Sequence, residues 1–147
     1  MTDRAVLRRE FPVKGGDFAK AGVVACRIKD LLKELGLDVG TVRRAAIASY
    51  EAEMNIIMYA REGLVKLAVS QQQVRIMVDD KGPGIPDVAL AMTEGYSTAT
   101  PEMRELGFGA GMGLPNIKKN ADRFHIRSGV GRGTHLEIII HANGHQP

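Results

Sequence analysis

The chain has 147 residues, 44% of them hydrophobic and 25% charged, a composition that fits one folded domain and excludes general disorder. Lys and Arg outnumber Asp and Glu by 20 to 17, and the excess is scattered, not gathered into a stripe that would follow a nucleic-acid backbone, so no nucleic-acid partner is expected. A single cysteine, Cys26, excludes an internal disulfide framework and suits a reducing compartment. No apolar run approaches the roughly 18 residues of a membrane span, and the start, Met1-Thr2-Asp3-Arg4, lacks a signal peptide's apolar region. The expected location is the cytoplasm, away from membrane.

Ala5 to Val13 reads as a first strand, closed by the turn Lys14-Gly15-Gly16. The period then changes: Val24, Ile28, Leu31 and Leu35 recur at helical spacing and predict an amphipathic helix ending near Gly36, with Cys26 packed on it as a small apolar residue. A second helix runs from a cap at Asp38 or Thr41 to Gly63 as its C′ residue. Leu64 to Ser70 and Gln73 to Asp80 alternate with period two around Gln71-Gln72 and predict a β-hairpin with Val65, Leu67, Val69, Val74, Ile76 and Val78 facing the helices. Residues from about 87 to 108 show no steady period, the mark of a functional lid or of a disordered segment, and are taken as the lid. Leu114 to Phe124 predicts a third helix, and His125 to Ser128 with Thr134 to His141 a closing strand pair. Residues from about 143 to 147 read as a frayed, disordered tail. The expected fold class is an α/β (α+β) two-layer sandwich, residues 1–147 as one domain, with helices on one face of a mixed, mostly antiparallel sheet.

Three clusters break the local rules of that scaffold, and such breaks are where function is expected. Glu51 and Asn55 stand one helical turn apart beside Ile47, Ala48, Met54 and Met58, so a carboxylate and an amide interrupt an apolar seam. The pair reads equally well as a polar helix flank, or as an Mg²⁺-binding amide with a proton-accepting or water-positioning carboxylate. In Asp80-Lys-Gly82-Pro-Gly84 the aspartate ends the row Val74, Ile76, Val78, while Asp79 points to the other face. The segment reads either as a plain strand-ending turn, or as a carboxylate offered to an exocyclic amine where two glycines let a flat ligand approach. In Gly107-Phe-Gly109-Ala-Gly111-Met112-Gly113-Leu114-Pro115 the spacing is that of neither a Rossmann fingerprint nor a P-loop. A flexible run leads into a helix with an early proline, which suits a phosphate chain at the helix N-terminus or a hinge without ligand.

The order of these clusters, followed by Gly131-Arg-Gly-Thr134 before a last strand, resembles the N, G1, G2 and G3 boxes of the GHKL (Bergerat-fold) ATPase superfamily over roughly residues 38 to 141. Within it the segment Gly-Ala-Gly-Met-Gly-Leu-Pro-Asn-Ile-Lys-Lys is similar to the bacterial anti-sigma-factor type serine/threonine kinases, and among those to the RsbT-type switch kinases of stressosome signalling. The resemblance implies ATP and Mg²⁺ as cofactors and transfer of a phosphoryl group to a protein Ser or Thr. Asn55 would be the metal ligand, Glu51 the catalytic base, and Asp80 the partner of the adenine amine. Gly82 and Gly84 would shape the base pocket, Gly107, Gly109, Gly111, Met112, Gly113 and Leu114 would surround the phosphates, and Thr134 would close the adenine site. Arg104 approximates a basic residue that contacts the terminal phosphate in related kinases. The implied partners are STAS-domain proteins, an antagonist or a stressosome scaffold, and a downstream phosphatase. Kinases that bind sigma factors directly often carry a His four residues after the Asn; Tyr59 stands there in this chain, as in the RsbT-type proteins, which argues against direct sigma binding. Two rival readings are a nucleotide-gated binding module with little turnover and the detached ATPase part of a histidine kinase or topoisomerase-like machine.

Overall fold

The computed structural model describes residues 5–85, 87–93 and 113–142. Alternation in the sequence dictates its sheet. Strands β1 (Leu7–Lys14), β2 (Glu62–Val69), β3 (Gln73–Asp80), β4 (Arg123–Gly129) and β5 (Gly133–His141) lie in the order β1-β2-β3-β5-β4. All four pairings are antiparallel, so among the described residues the mixed component of the expected sheet has no representative. Because directly opposed residues share a face, the register builds straight cross-strand rows. Leu67, Ile76 and Ile138 form one apolar row and Val65, Val78 and Leu136 the next, all essentially buried.

Over that face lie α1 (Val23–Glu34), α2 (Val39–Tyr59) and α4 (Gly113–Asn120), with a single-turn helix α3 (Val88–Ala91) opening the expected lid. Helix α2 is the middle of the layer, flanked by α1 and α4. It starts at Asp38, whose carboxylate accepts the Thr41 N–H at 3.0 Å, an N-cap that selects one of the two expected starts. It ends earlier than expected, with Ala60 extended. Gly63 is not a helix C′ residue: it pairs with Asp80 inside β2. Glycine stands there because a Cβ would lie 2.6 Å from the Ile56 side chain above it, a tertiary demand that imitates a cap signal.

Other expectations need correction at their edges. On α1 the buried side chains are Val24, Ala25, Ile28 and Leu32, whereas Leu35 is 41% exposed; the seam steps by four from Ile28 to Leu32 instead of by three to Leu31. Cys26 lies on the outer side of α1 and is exposed, not packed. Helix α4 stops at Asn120, so Phe124 belongs to β4. The lid from 94 onward and the tail from 143 lie outside the described residues.

Candidate functional site

One rung below the apolar rows, the register continues as Gly63, Asp80, Thr134 and Ser128 across β2, β3, β5 and β4. Three polar side chains therefore stand side by side on the core face, at the end where the helix layer opens. Asp80 Oδ1 accepts the backbone N–H groups of Gly82 at 3.0 Å and Thr134 at 3.1 Å. Its Oδ2 has no donor among the described residues. Burial pushes the Asp80 carboxyl above the ordinary aspartate range, against the two backbone N–H groups that favour its ionised form.

The loop after Asp80 is held to the β4–β5 hairpin by two hydrogen bonds. Ile85 N–H donates to Ser128 Oγ at 2.7 Å and Gly131 N–H to Pro83 O at 2.8 Å. Gly84 has φ +82, and a Cβ there would fall 2.0 Å from Gly129 O; at Gly133, φ is +75 and a Cβ would fall 2.1 Å from Asp80 O. Only glycine meets both the left-handed backbone and the close approach at these two positions. The result is a cleft of about 730 Å³ with Asp80, Gly82 and Pro83 on one wall, Met58 and Tyr59 from α2 on another, and the Gly15-Gly16 turn and Phe18 below.

Glu51 and Asn55 are half-buried on α2 and are not part of that cleft's lining. They meet the start of α4 instead. A Cβ on Gly113 would lie 3.4 Å from Asn55 Oδ1 and 3.7 Å from Glu51 Oε1. Asn116, one turn into α4, donates its amide to Glu51 Oε2 at 2.8 Å. The carboxylate and carboxamide thus face a helix N-terminus across a glycine that leaves room between them. Met58 links the two halves: it follows Asn55 by one turn of α2 and lines the cleft that holds Asp80. From Asn55 to Tyr59, the last residue of α2, the helix axis advances only about 6 Å, and the next residue, Ala60, abuts Gly82.

The described residues that the sequence singles out therefore gather at one end of the molecule in two adjoining groups, Asp80, Gly82, Gly84 and Thr134, and Glu51, Asn55 and Gly113. Leu114 gives its side chain to the core at 8% exposure. Arg104, Gly107, Gly109, Gly111 and Met112 lie outside the described residues. Sequence reading missed Asn116 and Ser128; each sits in a quoted motif or beside one, but their partners lie 65 and 43 residues away. It also missed Glu53, buried at 1% exposure between Glu51 and Asn55. Glu53 accepts the N–H groups of Gly22, Val24 and Ala25 at 3.0–3.2 Å, so it caps α1 from α2. Burial raises its pKa, opposed by those three bonds.

The donor sets suit a nucleotide with a weakly held cation. Asp80 offers an open acceptor inside a cleft, and among the described residues no cluster of three His, Cys, Asp or Glu side chains forms a metal cage. One carboxamide with a carboxylate a turn away matches the sparse protein ligation typical of Mg²⁺ carried by phosphates.

Comparison with known proteins bears on the family and the fold. Residues 42–144 match the family of histidine kinase-, DNA gyrase B- and HSP90-like ATPases. The chain is 34% identical over 117 residues to the serine/threonine-protein kinase RsbT of Bacillus subtilis (strain 168), covering 76% of this chain and 80% of that protein. It is 32% identical over 127 residues to the anti-sigma F factor of Pasteuria penetrans, covering 83% and 79% respectively. Among solved structures, a mycobacterial sensor histidine kinase, MprB, superposes with a TM-score of 0.52 at 16% identity, over 90% of this chain and 98% of that one, a likeness of fold. The two-layer architecture, the glycine-supported aspartate and the family match converge: this chain belongs to the histidine kinase-, DNA gyrase B- and HSP90-like ATPases.

Proposed function

We propose that the chain is a protein serine/threonine kinase that binds Mg²⁺-ATP between α2, the end of β3 and the start of α4, and transfers its γ-phosphoryl group to a Ser or Thr hydroxyl of a partner protein. The observation that carries this reading is the meeting of Glu51 and Asn55 with Gly113 at the N-terminus of α4, beside a cleft whose wall holds Asp80 with one carboxylate oxygen turned to no protein donor among the described residues. Similarity to RsbT supports the choice of a protein hydroxyl as acceptor.

Transfer of this kind is mainly positioning and charge neutralisation. Asp80 accepts the amine of adenine and fixes the base, Gly82 and Gly84 shape the pocket, and Thr134 closes it. Asn55 would hold the cation through its Oδ1, and the cation would supply neutralisation of the phosphate charge. Backbone N–H groups at Gly113 and Leu114 face the phosphates at the positive end of α4, and Gly107, Gly109, Gly111 and Met112 are assigned to the same phosphates by the family resemblance alone. Glu51, steadied by Asn116, takes the proton of the attacking hydroxyl, and Arg104 is assigned to the terminal phosphate. For the partner we propose a STAS-domain antagonist or scaffold protein, with release of the kinase toward a downstream phosphatase.

The test is transfer of γ-labelled phosphate from ATP to STAS-domain proteins of the same organism. The expected result is acid-stable label on a Ser or Thr of one of them, reduced at least about a hundredfold in Glu51→Ala. An acid-labile phosphate on histidine, or label unaffected in Glu51→Ala, overturns the assignment.

A further inference from the structure

Ser128 ends the polar rung, and its hydroxyl makes three contacts: the Ile85 N–H at 2.7 Å, Gly133 O at 3.1 Å and Thr134 Oγ1 at 2.8 Å. A serine hydroxyl has one proton and two acceptor sites. Ile85 can only donate and Gly133 O can only accept. One assignment satisfies all three contacts: Ser128 donates to Gly133 O and accepts from both Ile85 N–H and Thr134 Oγ1–H. Under it the Thr134 proton points along the rung toward Ser128, and Thr134 Oγ1 is left to act solely as an acceptor. Its neighbour across the ladder is Asp80, whose ionised carboxylate also only accepts. The rung then presents two acceptors side by side.

We propose that Ser128 is a positioning residue for base selectivity: by taking the Thr134 proton it makes the Asp80–Thr134 pair reject a purine bearing a 6-oxo group and admit one bearing a 6-amino group. This rests on the reading of Asp80 and Thr134 as the base-contacting residues. The chemistry is direct. A 6-amino group brings N–H donors to the two acceptors, whereas a carbonyl oxygen in the same place brings a third acceptor with nothing to bind it, and unpaired polar groups in a site discriminate strongly. Without the Ser128 hydroxyl, Thr134 is free to turn its proton outward and donate to a 6-oxo group. The loop itself keeps an anchor in that case, because the bond from Gly131 N–H to Pro83 O does not involve Ser128.

ATP and ITP differ at this group and at N1, which bears a hydrogen only in ITP; that second difference is common to every variant, so the measurement is the change between variants in the ratio of their dissociation constants, by calorimetric titration of the full chain with Mg²⁺ and without partner protein. Wild type is expected to prefer ATP. Ser128→Ala is expected to lower the ITP-to-ATP ratio by about tenfold, the worth of one hydrogen bond gained by the oxo group, and Ser128→Thr, which keeps the hydroxyl, to restore it. Thr134→Val removes the acceptor without supplying a donor and is expected to lower the ratio by less than Ser128→Ala; it also serves if Ser128→Ala does not fold. A role confined to anchoring the loop weakens both nucleotides in parallel with the ratio unchanged, and that result overturns the inference while leaving the nucleotide site in place. A wild type that binds neither nucleotide overturns both.

Discussion

Asp80 sits where an apolar row of β3 runs out, with two backbone N–H groups on one carboxylate oxygen and the cleft before the other. Removing that charge in Asp80→Asn replaces an acceptor with a donor in part of its orientations, and ATP affinity is expected to fall at least about a hundredfold in a direct binding titration. The pH dependence has a definite sign. Burial raises the pKa of this group, so on acidification it takes up a proton earlier than an ordinary aspartate and loses its acceptor character. Wild-type ATP affinity should therefore decline on acidification at a higher pH than an ordinary aspartate would dictate; an affinity unchanged as pH is lowered through the ordinary aspartate range would exclude the carboxylate as the base contact. The chemistry of Asp80 was legible in the sequence because period-two alternation puts it on the inner face and Asp79 on the outer. Asp79 indeed meets His135 at 2.6 Å on the opposite side of the sheet. What supports Asp80 was not legible, since the Thr134 N–H and the Ser128 hydroxyl come from strands 54 and 43 residues further from their partners.

At the scale of elements, the decisive contact is the one between α1 and α2. Helix α1 begins at Gly22 without a side-chain cap of its own, and its first N–H groups are satisfied by Glu53 from the neighbouring helix. Four orphan donors open any α-helix, and here a remote carboxylate answers three of the N–H groups at this end, Gly22 included. Glu53→Ala leaves them unpaired in a buried place and should cost about 3 kcal/mol in urea denaturation. In Glu53→Gln the sign with pH is set by burial, which lifts the native pKa above the unfolded one. The extra stability that wild type draws from this group is complete below the ordinary glutamate range and is lost as pH rises through the native value. The wild-type advantage over Glu53→Gln should accordingly be largest near pH 4 and smaller at pH 7. Spacing alone marked the helices and the hairpin, and Gln73–Asp80 was delimited to the residue. Helix ends were harder: Gly63 imitates a cap because Ile56 occupies the space its side chain would need. A buried glutamate between two exposed-looking polar residues gives no periodic signal, as its partners lie on another element.

For the molecule as a whole, the proposed site lies where two layers part, so a nucleotide held by its residues would touch α2, α4 and the strands that carry Asp80 and Thr134 together. Ligand that binds only the native state adds stability by mass action, about 2.7 kcal/mol at a hundredfold excess over the dissociation constant. Wild type is thus expected to show a melting temperature raised by several degrees in saturating Mg²⁺-ATP, and Asp80→Asn none at the same concentration. Far from the site, α2 is tied to the other end of the sheet through Arg44, which reaches Asp122 at 3.1 Å, while Asp122 also accepts the His141 N–H. Burial acts against ionisation of Asp122, but the His141 N–H and the Arg44 guanidinium outweigh it and hold its pKa below the ordinary value.

The order of the strands leaves β1 and β4 outermost among the described residues, and both borders are blunted. Pro12, exposed in the middle of β1 opposite Leu64, has no amide hydrogen to offer a further strand. Along β4 the exposed Arg123, His125 and Arg127 recur at every second position, and the two arginine charges oppose strand addition by a like chain. These borders oppose polymerisation of copies through backbone ladders and direct association toward side-chain recognition.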